Sequence, residues 1–579
     1  MNKLWYGDNL TIMQGMARDS VDLIYLDPPF NSQQNYNLLY RTMTGKPVPE
    51  QAEAFCDTWE LDAQKEAIAR SMPVLMREHG IDDYYVDFWR LWMQALRHTQ
   101  PHLLAYLIYM VQRLLHMKSI LRPTGSIYLH CDPTASHYIK VMMDGIFGHN
   151  NFRNEIIWRR TGSHSPSKRY GPIHDTLLFY TASNSYTFNR LTRPYMKGHV
   201  EKAFIKDGER YRTNYSGNVL TGSGKRNGLS GQPWHGFDPT LKNRHWALPS
   251  RLLEGIEDQF DGLNQHEKLD KLYEMGIITV KDTDEWPRYQ RYITASEGQY
   301  LSDIWAYQPY TEGTVFGTSD GIDDDVRWMG SKDGDRLGYP TQKPVTLLER
   351  IIRASTKPGD VVFDPFCGCG TTIYAAHQVD NRQWIGCDIA ILAIRLIRET
   401  LAERYRLVEN EHFVVDGIPT SVEGAQELFR KDPSTFQNWF VERVGGFPMV
   451  RKSADRGIDG RIYFETRAGL REMMLQVKGG KTVRPTDVRD LCRVLEREEN
   501  AEMAGFLSMV PASKAMRDEA SAVGTYEYQG IQYPRVQFLT VADVLVDKRE
   551  FHMPTKVNTR LTTGQQSLPL TGAHPGGEE

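Results

Sequence analysis

Two stretches of this chain carry side chains whose types and spacing could do chemistry. The first, Asp27-Pro28-Pro29-Phe30, closes the apolar run Val21-Asp22-Leu23-Ile24-Tyr25-Leu26. Consecutive prolines fix the backbone and offer no N–H, so the local carbonyls meet no competing donor. An amino group on a flat heterocycle has two hydrogens to give, and the Asp27 carboxylate and the Pro28 carbonyl could accept one each. Phe30 could stack on the ring. Such a grip would orient the nitrogen and stabilise positive charge as it attacks an electrophile, with no Cys nucleophile needed. The second stretch runs Val361-Val362-Phe363-Asp364-Pro365-Phe366 into Cys367-Gly368-Cys369-Gly370-Thr371-Thr372. Gly368 and Gly370 permit close approach and unusual backbone angles, and the helix start beyond them favours electronegative groups. Asp364 could face the positive end of a nucleoside-bearing cofactor. Asp388, closing the next strand, could take both hydroxyls of a ribose. The spacing is neither Gly-x-Gly-x-x-Gly nor a phosphate loop, so phosphate binding is not demanded.

Elements must bring these stretches together. Residues 1–183 read as strand–helix units. The run 21–27 is a strand, so Asp27 should stand at the carboxyl edge of a sheet. Leu104, Leu107, Ile108, Val111 and Leu115 recur at helical spacing. Arg122-Pro123-Thr124-Gly125 turns into the strand Ser126–His130. Ile156–Trp158 and Thr176–Tyr180 are short segments of high β-propensity, and the stretch 41–100 reads as helical. Residues 184–335 lose this rhythm and are rich in Gly, Asn, Arg, Tyr and Trp. An α/β pattern returns over 336–403, with a helix carrying Leu347, Leu348, Ile351 and Ile352 and strands at 361–363 and 384–388. Residues 404–430 read as a linker, 431–552 as an independent α/β domain, and 553–579 as a partly disordered tail.

The two stretches together, in this order, resemble the amino-methylating DNA methyltransferases of the permuted "beta" arrangement. Gly7-Asp8-Asn9, Gly125–His130, Asn154–Trp158, His174-Asp175, Asp303–Trp305 and Tyr339–Pro344 fit as well, so the resemblance covers roughly 1–403. It implies an α/β, permuted Rossmann-like fold with an inserted target-recognition region, and S-adenosylmethionine as methyl donor. Asp27, Pro28, Pro29 and Phe30 then take catalytic roles. Asp364, Pro365, Phe366, Gly368, Gly370, Thr371 and Asp388 would hold the cofactor. The resemblance adds Asp8 at the adenine, with Lys343 and Thr346 nearby. Asp rather than Ser at position 27 leans, within the family, to adenine N6; cytosine N4 presents the same donor pair and remains the alternative. A duplex base must be flipped out to be reached.

Arg153, Arg159, Arg160, Lys168, Arg169, Arg190 and Arg193 open a local basic excess, which fits either a solvated face or a phosphate-contacting surface. Lys225 and Arg226, in the Gly-rich loop 222–228, could reach bases or phosphates. Arg244 stands with Trp234, His235, His245 and Trp246, which could line a DNA surface; core packing explains the tryptophans equally well.

In the carboxyl-terminal block, Gly457-Ile458-Asp459-Gly460 leads a strand, and Gln476 and Lys478 share one face of the next. If these strands are adjacent, Asp459, Gln476 and Glu442 could ligate Mg²⁺ while Lys478 orients water. This block resembles the Mrr-type PD-(D/E)xK restriction-endonuclease fold, with Gln-x-Lys in place of Glu-x-Lys, so the metal would lose one ligand charge. The resemblance implies a Mg²⁺-dependent nuclease fused to the methyltransferase, a restriction–modification pairing. A non-catalytic DNA-binding copy is the alternative. A DNA-binding module without methylation and an RNA substrate are further ones.

Double-stranded DNA is the expected partner. A homodimer would suit a nuclease that cuts two strands. No Gly-x-x-x-x-Gly-Lys-[Ser/Thr] motif is present, so ATP-driven translocation would need an additional restriction subunit. The chain has 579 residues, net charge −4 and 25% charged residues, which argues against a nucleic-acid packaging protein but leaves room for local basic surfaces. Six scattered cysteines do not make a disulfide scaffold. With no long apolar run and no leader-like start, no membrane partner and a cytoplasmic location in a prokaryote or phage are expected.

Overall fold

The computed structural model describes residues 2–556 apart from 30–34, 38–52, 57–58, 163–167, 169, 209, 213–214, 249–252, 254–256, 282–285, 291, 294–296, 320, 331–332, 338, 340, 450–456, 467–468 and 499. Phe30, Arg169 and the tail beyond 556 therefore lie outside the described residues.

A nine-stranded sheet organises the first compact unit, which comprises residues 1–189, 303–306 and 325–579. In chain order its strands are β1 (Asn2–Tyr6), β2 (Val21–Leu26), β3 (Leu121–Cys131), β4 (Phe152–Arg159), β5 (His174–Thr181), β6 (Ile304–Trp305), β7 (Val361–Asp364), β8 (Gln383–Asp388) and β9 (Phe413–Asp416). They lie in the order β6-β4-β5-β3-β2-β7-β8-β1-β9. Only β5 runs against its neighbours. This is the permuted strand order that the sequence predicts.

The centre of the sheet is built for burial on both faces. All six residues of β2 are buried, as a parallel strand covered by helices requires. Asp22 sits among them because its Oδ2 accepts twice: from Arg122 Nη1 at 2.6 Å and from the Val361 N–H at 2.8 Å. One buried acid thus ties the start of β7 to β2. The register then sets Leu23 beside Val362 and Ile24 beside Phe363. Asp27 and the glycine loop consequently leave the sheet at the same edge.

Helices α1 (Asn9–Gln14), α2 (Pro101–Ile120), α3 (Val345–Ser355), α4 (Thr371–Gln378) and α5 (Ile391–Glu403) belong to this part of the chain. Pro101 at the first turn of α2 gives up an N–H that would have no helical partner, and thirteen residues of that helix are buried. No helix among the described residues is long and apolar enough to cross a membrane.

Two sequence expectations change here. Residues 404–430 are more than a linker, because β9 pairs with β1 along the edge of the sheet and α6 (Val422–Lys431) follows it. The 431–552 block does not stand apart either. Phe436, Trp439 and Phe440 of α7 (Pro433–Arg443) are buried in one apolar cluster with Ile394, Ile397 and Phe413. Each such side chain contributes about 1.5–3 kcal/mol, and that shared burial joins the block to the same compact unit. The block has its own five-stranded sheet: β10 (Phe447–Pro448), β11 (Gly460–Thr466), β12 (Gly469–Lys478), β13 (Ala501–Ser508) and β14 (Val536–Thr540), adjacent in that order. The first three are antiparallel and the last two join in parallel. Helix α8 (Pro485–Leu495) connects β12 to β13.

The second unit, residues 190–302 and 307–324, has short two- and three-stranded pieces around a core of Trp234, Trp246, Phe260, Leu269 and Trp286. Its helix Gln265–Glu274 begins on a capping box, with Asn264 and Glu267 satisfying each other's backbone N–H groups.

Candidate active site

The edge where β2 and β7 end opens into a cleft of about 840 Å³, counting the solvent at its mouth. Asp27, Pro28, Pro29, Lys343, Asp364, Phe366, Gly368, Thr371 and Asp388 all line it, with Tyr25, Tyr339 and Cys367 between them. Residues more than three hundred positions apart in the sequence thus share one cavity.

The Asp27 carboxylate meets this cavity asymmetrically. Its Oδ2 accepts from Lys343 Nζ. Its Oδ1 is buried and has no hydrogen-bond partner among the described residues. A buried acceptor left unmatched costs about 1–3 kcal/mol, which a donor brought in by a ligand would offset. Lys343 also donates to the Thr341 carbonyl at 3.3 Å.

On the glycine side, Asp364 accepts from Thr372 Oγ1 at 2.5 Å and from the Phe366 N–H at 2.9 Å. Burial pushes its carboxyl up to about 7 against those two donors. Asp388 accepts from the Gly368 N–H and the Ala390 N–H, each at 2.8 Å, and burial lifts it to about 6. The Asp388 carboxylate thus holds the loop on both sides, and its oxygens retain acceptor capacity for a ligand. Gly368 has φ +50°, and a Cβ there would stand 3.4 Å from the Tyr339 ring. Gly370, at φ +90°, starts α4, and a Cβ there would come within 2.8 Å of Ile397. Cys367 and Cys369 are buried thiols whose values burial pushes up, so neither is a poised nucleophile.

Two residues expected near the cofactor are occupied elsewhere. Asp8 caps α1 through the Leu10 N–H at 2.7 Å and takes both oxygens to Arg113 Nη2 at 2.8 and 2.9 Å. Thr346 is exposed, and its hydroxyl donates to the Asp325 carbonyl at 2.6 Å. Pro365 contributes its carbonyl, which accepts from Asn9 Nδ2 at 2.8 Å, while Arg113 Nε donates to Asn9 Oδ1 at 2.6 Å. Arg113 and Asn9 thereby pin the Asp364-Pro365 turn to the amino terminus. Sequence reasoning missed both. The signal was present in Arg113, an arginine inside the apolar pattern of α2, where it is 4% exposed.

The expected DNA contacts divide. Lys168, Lys225 and Arg226 are exposed. Arg159 lies over the Trp328 ring at 5.0 Å, and Arg160 Nε stands 3.2 Å from Asp175 Oδ1. Arg244, which pairs with Ser223, is turned onto Thr221 of the same neighbouring strand, donating to its hydroxyl at 2.5 Å and its carbonyl at 3.1 Å. Trp234 and Trp246 are core residues, 4% and 1% exposed.

In the carboxyl-terminal sheet β11 and β12 are adjacent, with Gly460 opposite Leu475. Asp459 accepts from the Val477 N–H at 2.7 Å and from Gln437 Nε2. Gln476 is 7% exposed, with Oε1 buried and without a partner among the described residues. Lys478 faces Asp487 at 3.7 Å. Glu442 does not join them. Its carboxylate accepts from the Ile391 N–H at the start of α5, near Arg395 and Asp388, and burial lifts it to about 8. α7 buries that face against the methylase-like sheet, so Glu442 caps a helix instead of completing a metal site. Among the described residues no group of three or more His, Cys, Asp or Glu could hold a metal ion.

Comparison with known proteins adds a second kind of observation. A family model described as DNA methylase matches residues 21–399. The chain is 28% identical over 299 residues to the type II methyltransferase M.EcaI of Enterobacter cloacae, covering 52% of this chain and 58% of that protein. It is 25% identical over 393 residues to the type III restriction-modification enzyme StyLTI Mod subunit of Salmonella typhimurium, covering 66% and 51%. Over 133 residues it is 37% identical to the type II methyltransferase M2.DpnII of Streptococcus pneumoniae, covering 21% and 49%. The chain spans about half the length of these curated relatives.

Proposed function

We propose, because this chain belongs to the DNA methylase family, that it transfers a methyl group from S-adenosylmethionine to an exocyclic amino nitrogen of a base in double-stranded DNA. The observation that carries this reading is Asp27, which lines the same cleft as Gly368 and Asp388 and whose Oδ1 is a buried acceptor with no donor among the described residues. An amino N–H satisfies that atom and the Pro28 carbonyl takes the second hydrogen. Positive charge growing on the nitrogen is then held beside a carboxylate in a site of low dielectric. The cleft fits the methyl donor: Gly368, at φ +50°, lets the loop take a left-handed turn that a side chain would strain, and Asp364 and Asp388 are carboxylates at the ends of neighbouring strands. When bound, S-adenosylmethionine supplies an electrophilic methyl on a sulfonium. Lys343, on the other oxygen, holds Asp27 in place before and after the base arrives.

Adenine N6 is the target we favour, on the Asp at position 27. Incubation with S-adenosylmethionine and DNA of varied sequence, read at base resolution, tests both the transfer and the target. Methylation at cytosine N4 would replace the finer reading. No transfer by the wild type, or equal transfer by D27A, would remove the whole of it.

A second reading concerns the carboxyl-terminal sheet. We infer a Mg²⁺-dependent nuclease in which Asp459 and Gln476 hold the ion and Lys478 stands beside it, and the buried Gln476 Oε1, without a partner among the described residues, favours it. One carboxylate and one amide are a thin ligand set, so waters and the DNA phosphate would supply the remaining positions. Mg²⁺-dependent nicking that disappears in D459A and K478A is the expected result. No nicking by the parent protein leaves the block as a DNA-binding module. The likeness to a Mod subunit supports a separate restriction subunit as partner, which co-purification from the source cells would test.

A further inference from the structure

Beneath Asp27, three side chains on adjacent strands form a continuous chain of polar contacts that the reading above does not use. Tyr25 lines the cleft from β2. Its hydroxyl lies 2.9 Å from His130 Nδ1 on β3, and His130 Nε2 lies 3.2 Å from Asp175 Oδ2 on β5. The three residues are 2%, 0% and 2% exposed. Strand register produces the alignment: Tyr25 pairs with Tyr128, two residues before His130, and Cys131 pairs with Thr176, next to Asp175. The Trp158 ring meets the imidazole edge-on at 5.5 Å. At the far end Arg160 reaches Asp175 from the surface.

A buried His between a hydroxyl and a carboxylate has a defined direction. Asp175 can only accept, so Nε2 carries the ring hydrogen, and Nδ1 is left to accept from the Tyr25 hydroxyl. Burial alone would raise the Asp175 carboxyl, but His130, Lys343 and Arg160 together hold it below the usual carboxylate range. It is therefore a standing anion beside the ring. The other charged groups around the chain are Asp27 and Asp364, both of which act on Tyr25.

We propose that Tyr25, His130 and Asp175 are a proton relay that deprotonates the target nitrogen. The proposal rests on the methyl-transfer reading and names the step it leaves open. When the nitrogen–carbon bond forms and the sulfur–carbon bond breaks, the nitrogen retains one proton too many. The proton that leaves is the one the Pro28 carbonyl held, and it passes to the Tyr25 oxygen as the Tyr25 hydroxyl proton passes to His130 Nδ1. The ring becomes an imidazolium balanced by Asp175, and returns its proton to solvent after product leaves. Asp27 keeps its hydrogen bond to the nitrogen and its ion pair with Lys343 throughout. Tyr25 touches the reacting nitrogen and is catalytic; His130 acts through Tyr25, and Asp175 is a positioning residue that fixes the ring tautomer.

Two measurements on the full chain test this. Nitrogen-15 NMR of histidine-labelled protein, without cofactor or DNA, should show His130 neutral with its hydrogen on Nε2 near pH 7, and D175N should abolish that preference. A hydrogen on Nδ1, or a doubly protonated ring in the free protein, would overturn the relay. Single-turnover methyl transfer should fall about 100-fold in Y25F and H130N, the usual scale of general acid–base catalysis, with DNA affinity retained and the solvent deuterium isotope effect reduced. Should H130N fail to fold, Y25F and D175N carry the test. Unchanged rates and isotope effects in both would overturn the relay alone, whereas no transfer by the wild type would overturn the functional reading and the relay with it.

Discussion

Lys343 Nζ donates to the Asp27 carboxylate across a sequence separation of 316 residues. The two side chains are 10% and 16% exposed, so the pair sits mostly out of water. Removing one partner leaves a charge without compensation. We expect K343M to lose about 3 kcal/mol of unfolding free energy. The double variant D27N/K343M should regain most of it, since neither charge then remains. Urea unfolding of the three proteins checks both statements.

Asp27 has a separate, chemical role. D27N preserves shape but weakens the acceptor that holds the nucleophilic nitrogen. Its methyl transfer should fall by about 100-fold or more, while calorimetric binding of S-adenosylmethionine stays unchanged. Loss of cofactor binding in D27N would show that the residue serves the donor rather than the base.

Glu442 makes stability depend on pH. Its carboxyl is lifted from 4.5 to about 8, so the folded protein binds this proton more tightly than the unfolded chain does. Stability from this group is present in full below the unfolded value and is lost as pH rises toward 8. Asp364 and Asp388 act with the same sign over lower windows. E442Q keeps an acceptor for the Ile391 N–H and cannot ionise. The wild type should therefore fall relative to E442Q by up to about 1.4 kcal/mol per pH unit between pH 5 and 8. Parallel curves in a denaturation series would remove Glu442 as the source.

Gly370 is held at φ +90° with Ile397 close by. G370A should be destabilised by about 1–3 kcal/mol and should bind S-adenosylmethionine more weakly, because α4 and the loop before it must shift. Thermal melting with and without the cofactor reads both effects.

Much of the methylase part was legible because its signals are local. The apolar run 21–26, the helix with Leu347, Leu348, Ile351 and Ile352, and the glycine string 367–370 each announce themselves within a few residues. What stayed hidden depended on contacts with no local trace. Glu442 looks like any exposed acid of an amphipathic helix until α7 packs against α5. Trp234 and Trp246 look like binding aromatics until they meet Phe260 and Trp286 in a core. Asp8 sits in a family motif, yet Arg113 claims its carboxylate. Strand β9 is too short to stand out before β1 provides its edge.

The position of β1 has a consequence for how the polypeptide is made. Residues 2–6 are made long before their neighbours, residues 383–388 on one side and 413–416 on the other. This strand of the nascent chain must wait, with both margins open, for roughly 400 residues of synthesis. Such long-range pairing is slow and prone to misassembly, so this fold should lean on chaperones more heavily than an unpermuted arrangement of the same strands.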